Sequence, residues 1–179
     1  MKRTSKTLIL AGVLMTGCAT KYTPAPGSAT AELRISAHQF FGLLGGGVRA
    51  VYYRDGSCDK PEVLAVISKV LTTKSDATKT LPPASPTDSD TTVDRIIEAS
   101  APINITFFSI KPGYDCVLPI TFKIEPNNAY QLRFNWNFEN KKCQASAAAF
   151  RNDSTTQQEY ITVSKQANDC KTGLDRPAF

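Results

Sequence analysis

Residues 130–139 read YQLRFNWNFE, and this stretch decides the fold class. Every second residue is large and apolar, while those between are polar; the apolar set is Tyr130, Leu132, Phe134, Trp136 and Phe138. Successive side chains of a β-strand point to opposite faces, so strict alternation predicts a strand with one buried face. We expect this stripe to pack in a core and not to form a platform for stacking sugars or bases.

The chain on both sides carries further alternation. Residues 118–124 alternate in the same way and are followed by 125–129, where Pro126 and Asn127 suit a turn, so the two runs predict a hairpin. Other strand patterns lie at 31–36, 48–53, 103–108, 143–150 and 158–165, and the last two predict a second hairpin. Short strands at this spacing predict an all-β fold, a two-sheet antiparallel β-sandwich of about seven strands, over residues 30–179.

Two segments do not follow this pattern. In 61–71, Val63, Val66 and Ile67 share a helical face, and Asp59 with Glu62 has capping-box spacing, which favours one short helix. Val and Ile also favour a strand, so both interpretations stay open. Residues 72–92 are rich in Ser, Thr, Asp and Pro and predict a long, mobile polar loop.

The N-terminus has the features of an export signal. A cationic start and the short apolar run 7–15 precede Thr16, Gly17 and Cys18, which is typical of a secretory signal peptide. Residues 14–18, LMTGC, resemble the lipobox of bacterial lipoproteins, in which the Cys is acylated and becomes the first mature residue. Met15 departs from that pattern, because the family usually has Leu there. The alternatives are a plain signal peptide with a chance Cys and an uncleaved anchor, which the short apolar run disfavours.

The lipobox resemblance implies a location. Residues 1–17 would be removed, and at least two acyl chains on Cys18 would give stable membrane attachment. Such families use Asp after the Cys to stay in the inner membrane, so Ala19 implies the outer membrane with the domain facing the periplasm. Residues 18–29, with Pro24 and Pro26, predict an extended, poorly packing tether that lifts the domain off the bilayer.

Four cysteines remain besides Cys18, namely Cys58, Cys116, Cys143 and Cys170. An even number in an oxidising compartment predicts two disulfides, with three possible connectivities. Loop-closure entropy mildly favours Cys58 with Cys116 and Cys143 with Cys170. No two of them lie within four residues of each other, so the spacing of a zinc site is absent. We therefore expect no metal and no cofactor.

Charge and short motifs limit the function classes. Lys2, Arg3 and Lys6 lie in the segment expected to be removed, so the net charge falls from +5 to +2. The remaining basic residues are scattered, and no nucleic-acid partner is expected. The motifs SCDK (57–60) and KTG (171–173) match two of the three signatures of serine penicillin-recognising enzymes, but the third is missing and the chain is too short for that fold.

The remaining candidate sites are weak. Residues 88–94 have the carboxylates of a calcium loop but lack its third ligand and its glycine. His38 is the only histidine and would have to serve any Ser–His pair. No catalytic set converges, so we do not expect an enzyme. Residues 40–47, FFGLLGGG, predict either a turn that feeds the core or an exposed apolar tip that contacts a partner; the candidate contact residues are Phe40, Phe41, Leu43 and Leu44.

Residues 103–150 combine a strand, YDC at 114–116, a PNN turn at 126–128 before Tyr130, and Cys143 opening the next strand. With the lipobox, this part resembles small uncharacterised bacterial lipoproteins with a single β-sandwich, which implies a periplasmic accessory module of no known activity. The leading expectation is a non-enzymatic lipoprotein that binds or scaffolds a periplasmic or envelope protein, in an envelope or secretion complex. The alternative is a protective inhibitor of a hydrolase such as lysozyme.

Overall fold

The computed structural model of the chain describes residues 20–38, 46–54, 61–68, 72–84, 92–99, 102–110, 116–137, 142–151, 154–162 and 164–165. These residues contain eleven β-strands and no helix. In chain order the strands are β1 (Thr20–Lys21), β2 (Thr30–His38), β3 (Gly47–Tyr53), β4 (Pro61–Ser68), β5 (Thr92–Glu98), β6 (Ile103–Ile110), β7 (Val117–Phe122), β8 (Ala129–Asn137), β9 (Lys142–Arg151), β10 (Ser154–Ile161) and β11 (Ser164–Lys165).

The strands form two sheets, which confirms the predicted all-β sandwich. The first sheet has six strands in the order β1-β4-β3-β6-β7-β11, and the second has five in the order β10-β9-β8-β2-β5. Most neighbours are antiparallel, but β1 pairs with β4 and β2 with β8 in parallel. Pro61–Ser68, which the sequence left open between helix and strand, is a strand because its Val and Ile side chains fit a pleated, half-buried surface.

The core lies between the sheets and is built from the alternating apolar side chains. Tyr130, Leu132, Phe134 and Trp136 are all buried, as their pattern predicted. Across from β8, Phe107 of the first sheet packs on Phe134, with 5.0 Å between ring centroids. The hydrophobic stripe of β8 therefore joins one sheet to the other and is not a surface platform.

The predicted hairpin of β7 and β8 is wrong. β7 pairs with β6 and β11 in the first sheet, whereas β8 pairs with β2 and β9 in the second. Asn127 has a φ of 60°, and its N–H donates to the Thr30 carbonyl of the second sheet. Alternation tells which face of a strand is buried but not which strand lies beside it. The second predicted hairpin is confirmed for β9 and β10, but its second strand, predicted over 158–165, ends at Ile161, and Ser164–Lys165 forms β11 beside β7.

One disulfide is described, and it overturns the expected pairing. Cys116, which precedes β7, is bonded to Cys143 of β9, so the bond ties the two sheets together. The 27-residue separation corresponds to about 3.5 kcal/mol of stability in the chain-entropy account. The expected pairs failed because the fold brings Cys116 and Cys143 together across the sandwich. Cys58 and Cys170 lie outside the described residues.

Candidate functional site

The most elaborate cluster of polar contacts surrounds the point where the N-terminal segment joins the sandwich. β1 lies beside β4, and the Tyr22 N–H donates to the Val63 carbonyl at 3.1 Å. The Tyr22 side chain is only 4% exposed. Where the sequence predicted a poorly packing tether over 18–29, the chain from Thr20 onward is thus built into the domain.

Five side chains hold this segment: Tyr22, Tyr52, Arg54, Glu62 and Glu98, which we call the N-terminal clasp. Arg54 follows β3 and lies at its centre. Its Nε and Nη2 atoms donate to the two Glu62 carboxylate oxygens, both at 3.1 Å, and its Nη1 atom donates to Glu98. Hydrogen bonds to Glu62, opposed by partial desolvation and helped by Glu98, raise the pKa of Arg54 above its ordinary value. The guanidinium remains charged and bridges two strands.

The same guanidinium also contacts the N-terminal segment directly. Its Nη2 atom donates to the Thr23 carbonyl at 3.0 Å, and its central carbon lies 5.6 Å from the centroid of the Tyr22 ring. A cation over an aromatic face is attracted by the ring quadrupole. The Tyr22 ring in turn meets the edge of Tyr52, with 5.1 Å between centroids.

Glu98 of the second sheet completes the clasp and is hydrogen bonded to Tyr22, which follows β1 of the first sheet. The Glu98 N–H donates to the Tyr22 hydroxyl at 2.8 Å, and the Glu98 carboxylate accepts the Ala25 N–H at 2.6 Å. Burial is the main cause that raises the pKa of Tyr22, so its phenol stays protonated. Both carboxylates of the clasp are bonded to Arg54, an arrangement suited to holding a chain segment rather than to transferring protons.

A buried cation lies further along the same side. Arg95 of β5 is 1% exposed; its Nε atom donates to the Leu64 carbonyl at 2.5 Å, and its Nη1 atom donates to the carbonyls of Lys74 and Asp94 at 2.8 and 2.9 Å. Desolvation lowers the pKa of Arg95, while the nearby carboxylates of Asp76 and Asp94 oppose that shift. Arg95 therefore links β5, β4 and the segment after β4.

A β-bulge explains why Leu64 can accept this bond. The register of β3 and β4 shifts between Ala50, which faces Ala65, and Val51, which faces Val63, so Leu64 is the extra residue. A bulge leaves one residue out of the ladder and frees its backbone groups for other partners. The Leu64 carbonyl uses that freedom to accept Arg95.

Residues 72–84, which we call the covering segment, lie against β4 of the first sheet and β5, the edge strand of the second. The Val66 N–H of β4 donates to Thr73 Oγ1 at 2.7 Å. The Asp94 and Ile96 N–H groups of β5 donate to Ser75 Oγ and Asp76 Oδ2 at 2.9 and 3.2 Å. The polar loop expected at 72–92 is thus hydrogen bonded to the sheets in its described part; residues 85–91 lie outside the described residues.

Glu32 of β2 fastens the far part of the covering segment. Its carboxylate accepts the N–H groups of Lys79, Thr80 and Leu81 at 2.6, 2.8 and 2.9 Å, together with the Thr80 hydroxyl at 2.7 Å. Burial by itself would raise the pKa of Glu32, but these hydrogen bonds outweigh it and lower the pKa below 4.5. The carboxylate is therefore stabilised in its ionised form.

The structure describes only some of the candidate residues that the sequence analysis singled out. Cys18 and the candidate contact residues Phe40, Phe41, Leu43 and Leu44 lie outside the described residues, as do residues 57–60 and 171–173. Asp94, from the calcium-like run, forms a paired contact with Arg34 in which both nitrogen–oxygen distances are 2.8 Å. That carboxylate is committed to an ion pair between β2 and β5.

Sequence reasoning missed the clasp and Arg95. A signal for Arg95 was present, because Val93, Arg95 and Ile97 occupy alternate positions of one strand and therefore share a face. A charge among apolar residues on that face marks a buried, hydrogen-bonded group. No comparable pattern identifies the clasp, because its members come from four separate parts of the chain.

In the described residues no group of three or more His, Cys, Asp or Glu side chains is placed to hold a metal ion. The same residues include no helix with the length and apolarity needed to cross a bilayer. The chain matches no protein-family model, no curated protein and no solved structure.

Proposed function

We propose that this protein is a lipoprotein held in the outer membrane by acyl chains on Cys18. Its sandwich lies in the periplasm, where it binds or scaffolds a periplasmic protein and catalyses no reaction. The lipobox-like residues 14–18 support the anchor. The disulfide between Cys116 and Cys143 fits an oxidising compartment.

The observation that carries the scaffolding role is the burial of Tyr22, four residues after the proposed anchor. Retention at a membrane alone needs only a flexible tether. Here the segment after the anchor is paired with β4 and fastened by Arg54 and Glu98. A domain clasped in this way keeps one orientation relative to its anchor, which suits a protein that presents a fixed surface to a partner.

The anchor is tested by metabolic labelling with a palmitate analogue and by separating the two membranes on a density gradient. We expect the wild-type chain to be labelled and to fractionate with the outer membrane, and Cys18→Ser to lose both the label and the membrane. Ala19→Asp is the matched variant: it should keep the label and move to the inner membrane. An unlabelled wild-type chain would contradict the proposal.

The binding role is tested by chemical cross-linking in intact cells, followed by reconstitution with the purified partner. We expect one envelope protein to be cross-linked by the anchored chain and to bind it directly afterwards. If the captured protein is instead a hydrolase whose activity falls when the chain is added, the protein is an inhibitor. If no captured protein binds on reconstitution, the scaffolding role is wrong.

A further inference from the structure

The distance between the proposed anchor and the folded domain is short enough to fix how the domain sits on the membrane. We propose, resting on the acylation of Cys18, that the end of the sandwich at which β1 begins lies directly against the lipid headgroups, with no spacer between. The surface concerned is formed by the turns 25–28 and 125–128, which we call the anchor-side end. Its occupant is the bilayer surface itself.

The chain between Cys18 and β1 is short. Thr20 is the first residue of β1, and only Ala19 separates it from Cys18. Two residues span at most about 7 Å even when fully extended. The Cα atom of Cys18 therefore lies within about 7 Å of that of Thr20 whatever its conformation. Since the acyl chains must enter the bilayer at Cys18, the start of β1 must be close to the headgroups.

The direction of β1 shows which end of the sandwich lies near the anchor. It runs parallel to β4, with Thr20 beside Glu62, and β4 begins one residue earlier at Pro61. Moving back from Thr20 towards Cys18 thus leads to the end of the sheet where β4 starts. In β3, Tyr53 lies opposite Pro61, so β3 finishes at the same end.

Parts of the second sheet lie at the same end. Arg54, directly after β3, is bonded to Glu98, and Glu98 lies opposite Thr30 where β2 begins. The turn 125–128 is attached there as well, because the Asn127 N–H donates to the Thr30 carbonyl at 2.8 Å. Both sheets therefore end together, and the exposed tips of their turns are Pro26 and Pro126.

The charges of the exposed side chains at the anchor-side end are mixed. The exposed side chains around this end include cations, Lys21 and Lys123, and an anion, Glu125. Among the described residues, this mixture gives no strong attraction to an anionic bilayer, where each unopposed basic residue contributes about 1 kcal/mol. The short covalent connection is therefore sufficient by itself to bring this end to the membrane.

The clasp determines whether the connection stays short. If it opened, residues 18–29 would be free and could extend roughly 40 Å. The clasp opposes this with the buried ring of Tyr22 and with charge-assisted hydrogen bonds from Arg54. The folded N-terminal segment therefore keeps the anchor-side end at the bilayer.

The experiment places a photo-reactive benzoylphenylalanine at one position of the full-length chain in cells and measures lipid adducts by mass spectrometry. Pro126 and Pro26 are the test positions. Gln144 is the matched control: it is also exposed, but lies opposite Asn135, six residues and about 20 Å along β8 from Ala129. We expect at least ten times more phospholipid adduct at positions 26 and 126 than at 144.

A spacer variant tests whether the short connection between Cys18 and β1 holds the anchor-side end at the bilayer. Inserting a Gly/Ser spacer of about 20 residues, with a root-mean-square length of about 25 Å, between Ala19 and Thr20 should leave acylation intact and reduce the adduct at 126 to the level at 144. An acylated wild-type chain with equal adducts at 126 and 144, or with none, overturns this inference and leaves the proposed lipoprotein standing. An N-terminal peptide without acyl chains overturns both.

Discussion

Arg54 is the side chain on which the attachment of the N-terminal segment most depends. It contacts Glu62, Glu98, the Thr23 carbonyl and the Tyr22 ring, and its side chain is 31% exposed. Lysine cannot reproduce this set, because a single ammonium group lacks the planar fork that engages several acceptors at once.

Replacing Arg54 with Met should lower the free energy of unfolding by about 1–3 kcal/mol, since two half-buried carboxylates lose a charged donor. Arg54→Lys should recover less than half of that loss. Urea denaturation measures both, and hydrogen exchange should show faster exchange at the Tyr22 amide. If Arg54→Met leaves that amide as protected as in the wild type, the clasp does not hold the segment.

Arg95 has a different role, because its guanidinium is buried and spans the gap between the sheets. Arg95→Met keeps most of the volume but leaves the carbonyls of Leu64 and Lys74 without this donor. We expect a loss of about 2–4 kcal/mol, partly offset because methionine needs no desolvation. Arg133→Met, on half-buried β8 surface, is the control and should change stability by less than about 0.5 kcal/mol. Equal effects of the two variants in thermal unfolding would contradict this role for Arg95.

Glu32 makes the stability of the fold depend on pH, and the direction of its pKa shift sets the sign of that dependence. Hydrogen bonds lower the pKa of Glu32 in the folded state below 4.5, against the opposing effect of burial. Its contribution to stability is therefore present above pH 4.5 and is lost as the pH falls through the lower folded value.

The variant Glu32→Gln should accordingly be less stable than the wild type at pH 7, and the difference should shrink steadily below pH 4.5. The measurement is the urea midpoint of both chains between pH 7 and pH 3. Glu125→Gln removes an exposed carboxylate with one long hydrogen bond and serves as the control. A difference for Glu32→Gln that grows in acid would refute this assignment.

At the scale of the elements, the side of the sandwich formed by β4 and β5 is closed by side chains. The outward N–H groups of Asp94, Ile96 and Glu98 donate to Ser75, Asp76 and Tyr22 respectively. Unpaired strand edges are templates for association with other chains, and capping them in this way prevents it. The covering segment and Tyr22 thus protect different parts of the same β5 edge.

The double variant Ser75→Ala, Asp76→Ala should uncover this edge. We expect the amides of Asp94 and Ile96 to exchange hydrogen at least ten times faster, and the protein to aggregate at lower concentration in light scattering. Lys79→Ala is the control, because only its backbone N–H takes part in the contacts with Glu32. Unchanged exchange in the double variant would show that the segment does not seal β5.

The strands illustrate what local pattern can and cannot predict. β8 was predictable because ten residues alternate without interruption. Residues 61–68 were ambiguous because their Val and Ile fit both the helical and the strand period. β5 was missed because Arg95 interrupts its apolar face. The β7–β8 pairing was wrong because side-chain period fixes the buried face and not the neighbouring strand.

The candidate site lies beyond such prediction for a physical reason. Its contacts join residues far apart in sequence; Ala25 and Glu98, for example, are 73 positions apart. Only the completed sandwich brings these groups within hydrogen-bond distance. By contrast, the lipobox-like sequence is local and can be read directly, although Cys18 itself lies outside the described residues.

For the molecule as a whole, the orientation on the membrane depends on one proposed covalent modification and one folded domain. The sandwich, its disulfide and the clasp fix the geometry of the N-terminal segment, and the proposed acyl chains convert that geometry into an orientation on a membrane. A free N-terminus would leave the clasp with a structural role alone.

The most direct test is the intact mass, with N-terminal peptide sequencing, of the protein purified from the membrane fraction. We expect a chain that begins at Cys18 and carries at least two acyl chains on that residue. A chain that begins at another residue, or that has a free thiol at Cys18, would show that the protein is not anchored through Cys18.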